Sequence, residues 1–122
     1  EALSALTGWP CTLMRFDDQD FDGDVLWATL CSARDAEFLM TCSTKRVRAS
    51  SLMPDHVYSL VSVFEVSDAV GGEVRLVKVR NPNGLTKWQG DWSTASPLWT
   101  PELRRQCGYV EGGQQGVFFM AF

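Results

Sequence analysis

The chain has one histidine in 122 residues, His56. Imidazole is the side chain whose ordinary titration lies near neutrality, so it admits general acid–base chemistry. A lone histidine more often serves structure or surface, and its neighbours must decide. Residues 56–66 (HVYSLVSVFEV) are dense in β-branched and aromatic residues and predict a strand. Residues 67–72 (SDAVGG) read as a turn. Residues 73–80 (EVRLVKVR) read as a second strand, stopped by Asn81-Pro82-Asn83-Gly84. Strands joined this closely pair as an antiparallel hairpin. In the register symmetric about Ala69 and Val70, His56 faces Asn83. Asn81 then shares the face of His56, because side chains alternate with period two. A slip of one residue would put the two on opposite faces. An amide oxygen beside an imidazole accepts from one ring nitrogen and fixes the tautomer. The other nitrogen is left for a nucleophile.

The rest of the chain supplies the elements that must hold this pair. Residues 11–16 (CTLMRF) read as a strand, and residues 17–24 as an acidic loop in which Asp22 or Asp24 caps a helix. The helix runs from about 24 to 35, with Leu26, Trp27, Leu30 and Cys31 on one face. Residues 36–43 read as a strand, and residues 44–54 as a polar, basic loop. A loop carrying Trp88, Trp92 and Trp99 precedes Thr100-Pro101-Glu102, a helix start whose helix ends near Gly108. Residues 116–122 (GVFFMAF) form the last strand. The order predicts an α+β fold: one domain over residues 1–122, built on a mostly antiparallel, barrel-like sheet with short flanking helices.

Composition excludes several classes. The formal charge is −4, which disfavours a nonspecific nucleic-acid binder. No apolar run reaches the length of a membrane span. Cys11, Cys31, Cys42 and Cys107 form no Cys-x-x-Cys pair, and with one histidine they make no zinc site. They point to reduced thiols and a cytoplasmic, intracellular setting. Cys31 and Cys42 lie in apolar stretches and read as core. Asp18, Asp20 and Asp22 open like an EF-hand loop, but the twelfth position is Thr29 rather than a bidentate Glu. A solvated loop capping the helix is the simpler reading. The basic run Lys45-Arg46-Val47-Arg48 reads as a solvated loop before it reads as a docking patch.

Several motifs taken in order carry a family resemblance. His56-Val57-Tyr58-Ser59, Arg80-Asn81-Pro82-Asn83-Gly84, Trp88-x-Gly90-x-Trp92-Ser93, Trp99 and Gly116-Val117-Phe118-Phe119-Met120 resemble the calpain family of cysteine peptidases. So does the opening Ala5-Leu6-Thr7-Gly8. The resemblance covers nearly the whole chain and is weakest from about 17 to 54. It implies a papain-like subdomain, the second half of the protease core, with His56 and Asn81 as catalytic residues. The nucleophilic Cys would belong to a first protease subdomain upstream, and protein substrates would lie between the two. The start, Glu1-Ala2-Leu3-Ser4, lacks an initiator Met and suggests a chain cut from a longer one.

Two departures matter. The family's motif has a Trp that shields the His–Asn pair from water where this chain has Asn83; Trp88 and Trp92 are candidate substitutes, or simply loop packing. The family's calcium ligands in this subdomain fall on Lys87, Thr94, Gln115 and Val117, none of them a carboxylate. No metal and no cofactor are therefore expected. The leading reading is the His/Asn half of a calpain-like endopeptidase, inactive alone. The alternatives are a non-catalytic calpain-homologous scaffold and an unrelated binding domain.

Overall fold

The computed structural model describes residues 2–46, 51–84, 88–111 and 114–122. Its elements are α1 (Ala2–Thr7), α2 (Gly23–Asp35), β1 (Met40–Ser43), β2 (Val57–Ser67), β3 (Glu73–Arg80), α3 (Pro101–Cys107) and β4 (Val117–Ala121). The four strands make one antiparallel sheet in the order β1-β2-β3-β4. The fold is α+β, as the element order predicts.

The sheet separates two apolar clusters. One face carries Tyr58, Leu60, Val63, Val77, Val79 and Phe118, covered by Trp27 of α2. Leu30 and Cys31 of α2 pack against it, and Leu26 is buried, so the predicted helix face points inward. The other face carries Val66, Leu76 and Phe119, covered by Trp92, Trp99, Leu103 and Cys107. Each helix has a local start signal. Asp22 accepts from the Asp24 and Val25 amides, and Thr100 accepts from the Leu103 amide. Gly108, at φ 63°, ends α3 in the left-handed conformation that glycine adopts without strain.

The hairpin β2–β3 differs from the symmetric register in an instructive way. Ser67 belongs to the strand and pairs with Glu73, so the loop is 68–72. Asp68 closes it, its carboxylate accepting from the Val70 and Gly72 amides at 3.0 and 2.7 Å. That loop centres the turn on Val70 rather than between Ala69 and Val70. The register then shifts between Leu60 and Ser62, where Val61 is the extra residue of a β-bulge. Beyond it Leu60 faces Val79 and Ser59 faces Arg80, the pairing that symmetry about Ala69 and Val70 predicts. The burial pattern records the switch: Val63 is buried above the bulge, Tyr58 and Leu60 below it.

Three other expectations are corrected or extended. Residues 11–16 form no strand; Leu13 and Phe16 are largely exposed, and strand propensity is realised only where a pairing edge and a buried face exist. The strand predicted from residue 36 begins at Met40, because residues 36–38 finish the helix. The Phe38 amide donates to the Ala33 carbonyl at 2.9 Å, and Glu37 takes φ 57°. Helix α1 is an addition to the sequence reading. Among the described residues no helix is long and apolar enough to cross a membrane.

Because Val61 is the extra residue, deleting it is expected to leave Leu60 and Ser62 opposite Val79 and Lys78 in an unbroken ladder, with Tyr58 and Leu60 still on the face of Val63, at a cost below about 1 kcal/mol. Deleting Ser59 instead makes Tyr58 and Leu60 neighbours, which a strand points to opposite faces, and should cost on the order of 2 kcal/mol or more, from one core side chain turned outward. Urea unfolding of both variants measures the difference, and an equal loss in the two would contradict the role given to the bulge.

Candidate active site

His56 immediately precedes β2 and Asn81 immediately follows β3, so the hairpin delivers both to one end of the sheet. The His56 Nε2 lies 3.0 Å from the Asn81 Oδ1. Asn81 is buried, at 1% exposure, and His56 is half-buried. The Asn83 amide donates to the same Oδ1 at 3.0 Å. An oxygen that already faces one N–H donor is an acceptor, so Nε2 carries the proton toward it. The Nδ1 lone pair then has no hydrogen-bond partner among the described residues. Such a ring edge can take a proton from a group brought against it.

Neighbouring segments clamp both residues. The His56 amide donates to the Thr44 Oγ1 at 3.1 Å, and the His56 carbonyl accepts from the Thr44 amide at 3.0 Å. The His56 ring meets Tyr58 edge to face, with centroids 4.8 Å apart. Asn81 is held through its backbone. Its amide donates to the Gly116 carbonyl at 2.8 Å, and its carbonyl accepts from the Gly84 amide at 3.0 Å. Gly116 sits at φ 72°, and a Cβ there would lie 2.7 Å from the Asn81 carbonyl oxygen. Glycine is thus required both by conformation and by close approach.

The other predicted positions disperse. Asn83 is exposed; its backbone amide, not its side chain, touches the pair. Trp88 is half-buried against the cluster that contains Tyr58 and gives its indole N–H to the Asp91 carbonyl. Trp92 is buried in the cluster on the other face, edge to face with Trp99. Packing is the role its surroundings display. The acidic loop caps α2 through Asp22, and Asp17 pairs with Arg15 and Lys45. Those two cations hold the Asp17 carboxyl well below the usual carboxylate range. Thr94 accepts from Tyr109 through its carbonyl, and Val117 is buried in β4. Lys87, and Val47 and Arg48 of the basic run, lie outside the described residues.

The cysteines are free thiols. Burial pushes Cys31 and Cys42 up, and pushes Cys107 up to about 11. Such thiols stay protonated at neutral pH and make poor nucleophiles. Cys11 is exposed, its Sγ 3.7 Å from the Trp9 carbonyl. Among the described residues no cysteine is hydrogen-bonded to His56, and no three His, Cys, Asp or Glu side chains stand together as a metal site. Sequence reasoning did not single out Thr44 or Gly116 as supports. Gly116 stands out in the sequence as the start of a strand and of a family motif, not as a support, and Thr44 reaches His56 through the β1–β2 pairing, which no local pattern announces.

The family described as calpain family cysteine protease matches residues 1–122. The calpain-type cysteine protease DEK1 of Arabidopsis thaliana is 31% identical over 103 residues, 80% of this chain and 5% of that protein. The calpain-2 catalytic subunit of Gallus gallus is 33% identical over 82 residues, 65% of this chain and 11% of that protein. Calpain-9 of Homo sapiens is 36% identical over 75 residues, covering 58% and 10%. The chain thus spans a small fraction of each relative's length.

Two measurements follow from the geometry. Gly116→Ala should cost on the order of 1–3 kcal/mol in urea unfolding, because it places a Cβ against the Asn81 carbonyl at positive φ. Cys107, raised in the folded state, contributes stability that is complete below about pH 9 and lost as the pH approaches about 11. The fall, on the order of 2 kcal/mol, should be visibly smaller in Cys107→Ala. Equal slopes in the two proteins would show that Cys107 does not titrate as argued.

Proposed function

The chain belongs to the calpain family of cysteine proteases, and from that premise we propose that it is the His/Asn half of a cysteine endopeptidase active site. The observation that supports this reading is the His56–Asn81 hydrogen bond, with Nε2 held and Nδ1 left open.

In the proposed reaction a cysteine on a first protease subdomain, outside these 122 residues, presents its thiol to Nδ1. His56 takes the proton, and the thiolate attacks the carbonyl carbon of a peptide bond. The imidazolium, still bonded to Asn81, then protonates the departing amine as the C–N bond breaks, and water, giving a proton to Nδ1, hydrolyses the thioester and frees the thiol. Asn81 keeps the ring in the plane that lets one nitrogen serve both transfers. Protein substrates lie in the cleft between the subdomains, in an intracellular setting, and the steps as written use no cofactor. The chain by itself does not cleave peptides, because burial keeps three of its thiols protonated and none is paired with His56. One observation favours a second reading, a calpain-homologous scaffold without catalysis. Asn83, where the resemblance implies a shielding Trp, is exposed.

Fluorogenic peptide hydrolysis by the longer protein containing this chain separates the two. His56→Ala should lower kcat/KM by on the order of a thousandfold or more, the scale of a lost general base. Asn81→Ala should lower it by roughly tenfold to a hundredfold through misplacement of the ring. Unchanged hydrolysis in His56→Ala would overturn the catalytic reading. A longer protein with no thiol-dependent hydrolysis at all would favour the scaffold.

A further inference from the structure

The Asn81 side chain is an amide with two unlike ends. Its oxygen end takes donors from His56 and Asn83. Its NH2 end points at the Met53 sulfur, with Nδ2 to Sδ 3.7 Å. A thioether accepts weakly and donates nothing. Turning the amide over would set its NH2 against the Asn83 N–H, would leave the His56 Nε2 to accept and so shift its proton to Nδ1, and would set the amide oxygen against the sulfur lone pairs. Both ends therefore favour the same orientation, and that orientation selects the Nε2–H tautomer of His56.

Met53 is itself fixed by the residues that fix His56. Its amide donates to the Tyr58 hydroxyl at 2.9 Å, and Tyr58 is the ring in contact with the imidazole. Its carbonyl accepts from the Thr44 Oγ1 at 2.6 Å, and that same Oγ1 receives the His56 amide. Met53 is half-buried and Asn81 buried, so the sulfur meets the amide in a place where water competes little.

We propose that Met53 is a positioning residue. Its thioether holds the Asn81 amide in the orientation that leaves the His56 Nδ1 free of a proton. The contact belongs to the chain whatever the chain does, but its catalytic consequence rests on the protease reading above.

Because His56 is the only histidine, its two ring nitrogens can be observed without ambiguity in the 15N-histidine-labelled 122-residue chain. Long-range 1H–15N spectra above the imidazole titration report the tautomer ratio. The wild type should show mostly Nε2–H. Met53→Ala and Met53→Leu should each lower the ratio of Nε2–H to Nδ1–H by roughly threefold or more, the scale of one weak hydrogen bond. Met53→Leu keeps the apolar volume and so serves if Met53→Ala does not fold. Met120→Ala, a truncation against the same cluster as Tyr58, should lower stability and leave the ratio unchanged. A wild-type ratio in the folded Met53 variants, or an equal fall in Met120→Ala, overturns the proposal. In the longer protein the Met53 variants should lower kcat with little change in KM. Failure of the ratio test with catalysis still dependent on His56 refutes the Met53 role alone. The reverse pattern refutes the protease reading alone.

Discussion

The two-residue period of a β-strand is the constraint under which this site exists. His56 and Asn81 flank opposite ends of a hairpin, and their side chains meet only if both project from the same face. The loop closed by Asp68 sets a register near the turn that, continued unbroken, would pair Ser59 with Asn81 and put His56 on the far face. One extra residue, Val61, resets the parity. The bulge therefore decides between a hydrogen-bonded pair and two unrelated side chains. It also aligns the core, since Tyr58 and Leu60 join Val63 on one face only because of it.

Around that hairpin the sheet is clad on both sides, and the two sides serve different ends. The face with Tyr58 carries the imidazole and is backed by α2 through Trp27, whose indole N–H donates to Glu65. The opposite face is filled by Trp92, Trp99 and Phe119 and closed by α3. The Trp99 N–H reaches the Trp92 and Ser93 carbonyls, satisfying a buried donor as aromatic cores require. Trp92 and Trp99 thus stabilise the side of the sheet away from the histidine, while Trp88 packs on the other side. By contrast Trp9, Leu13 and Phe16 stand largely in the open.

Tyr58 of β2 packs on the imidazole, but other supports of the dyad come from outside the hairpin strands. Thr44 arrives from the end of β1, Met53 from the following loop, and Gly116 from the approach to β4. Each is set by contacts distant in sequence: Thr44 holds the His56 amide and carbonyl, Met53 meets the Asn81 NH2, and Gly116 accepts from the Asn81 backbone N–H. Buried polar groups are costly unless satisfied, so such a network tends to have one arrangement. That is the condition for a histidine with a defined tautomer.

Read along the chain, β3 and α3 are written in local chemistry. The run EVRLVKVR ends at Asn-Pro, and Thr100-Pro101 and Gly108 bracket a helix with side-chain and backbone caps. The helix face of α2 is legible from its apolar spacing. The sequence by itself determined these, because caps, periodicity and turn residues act within a few positions of themselves. Strand alternation across a short turn also points to His56 and Asn81, but the two meet only because the bulge at Val61 offsets the shifted centre of that turn. Residues 11–16 show the limit, since a strand-like pattern stays unpaired where no edge receives it. Only the tertiary structure decided the bulge, the assignment of Trp88 and Trp92 to opposite clusters, and the contacts of Thr44, Met53 and Gly116 with the dyad. Those depend on registers and approaches between segments dozens of residues apart, where packing of the whole sheet, and no local preference, selects the outcome.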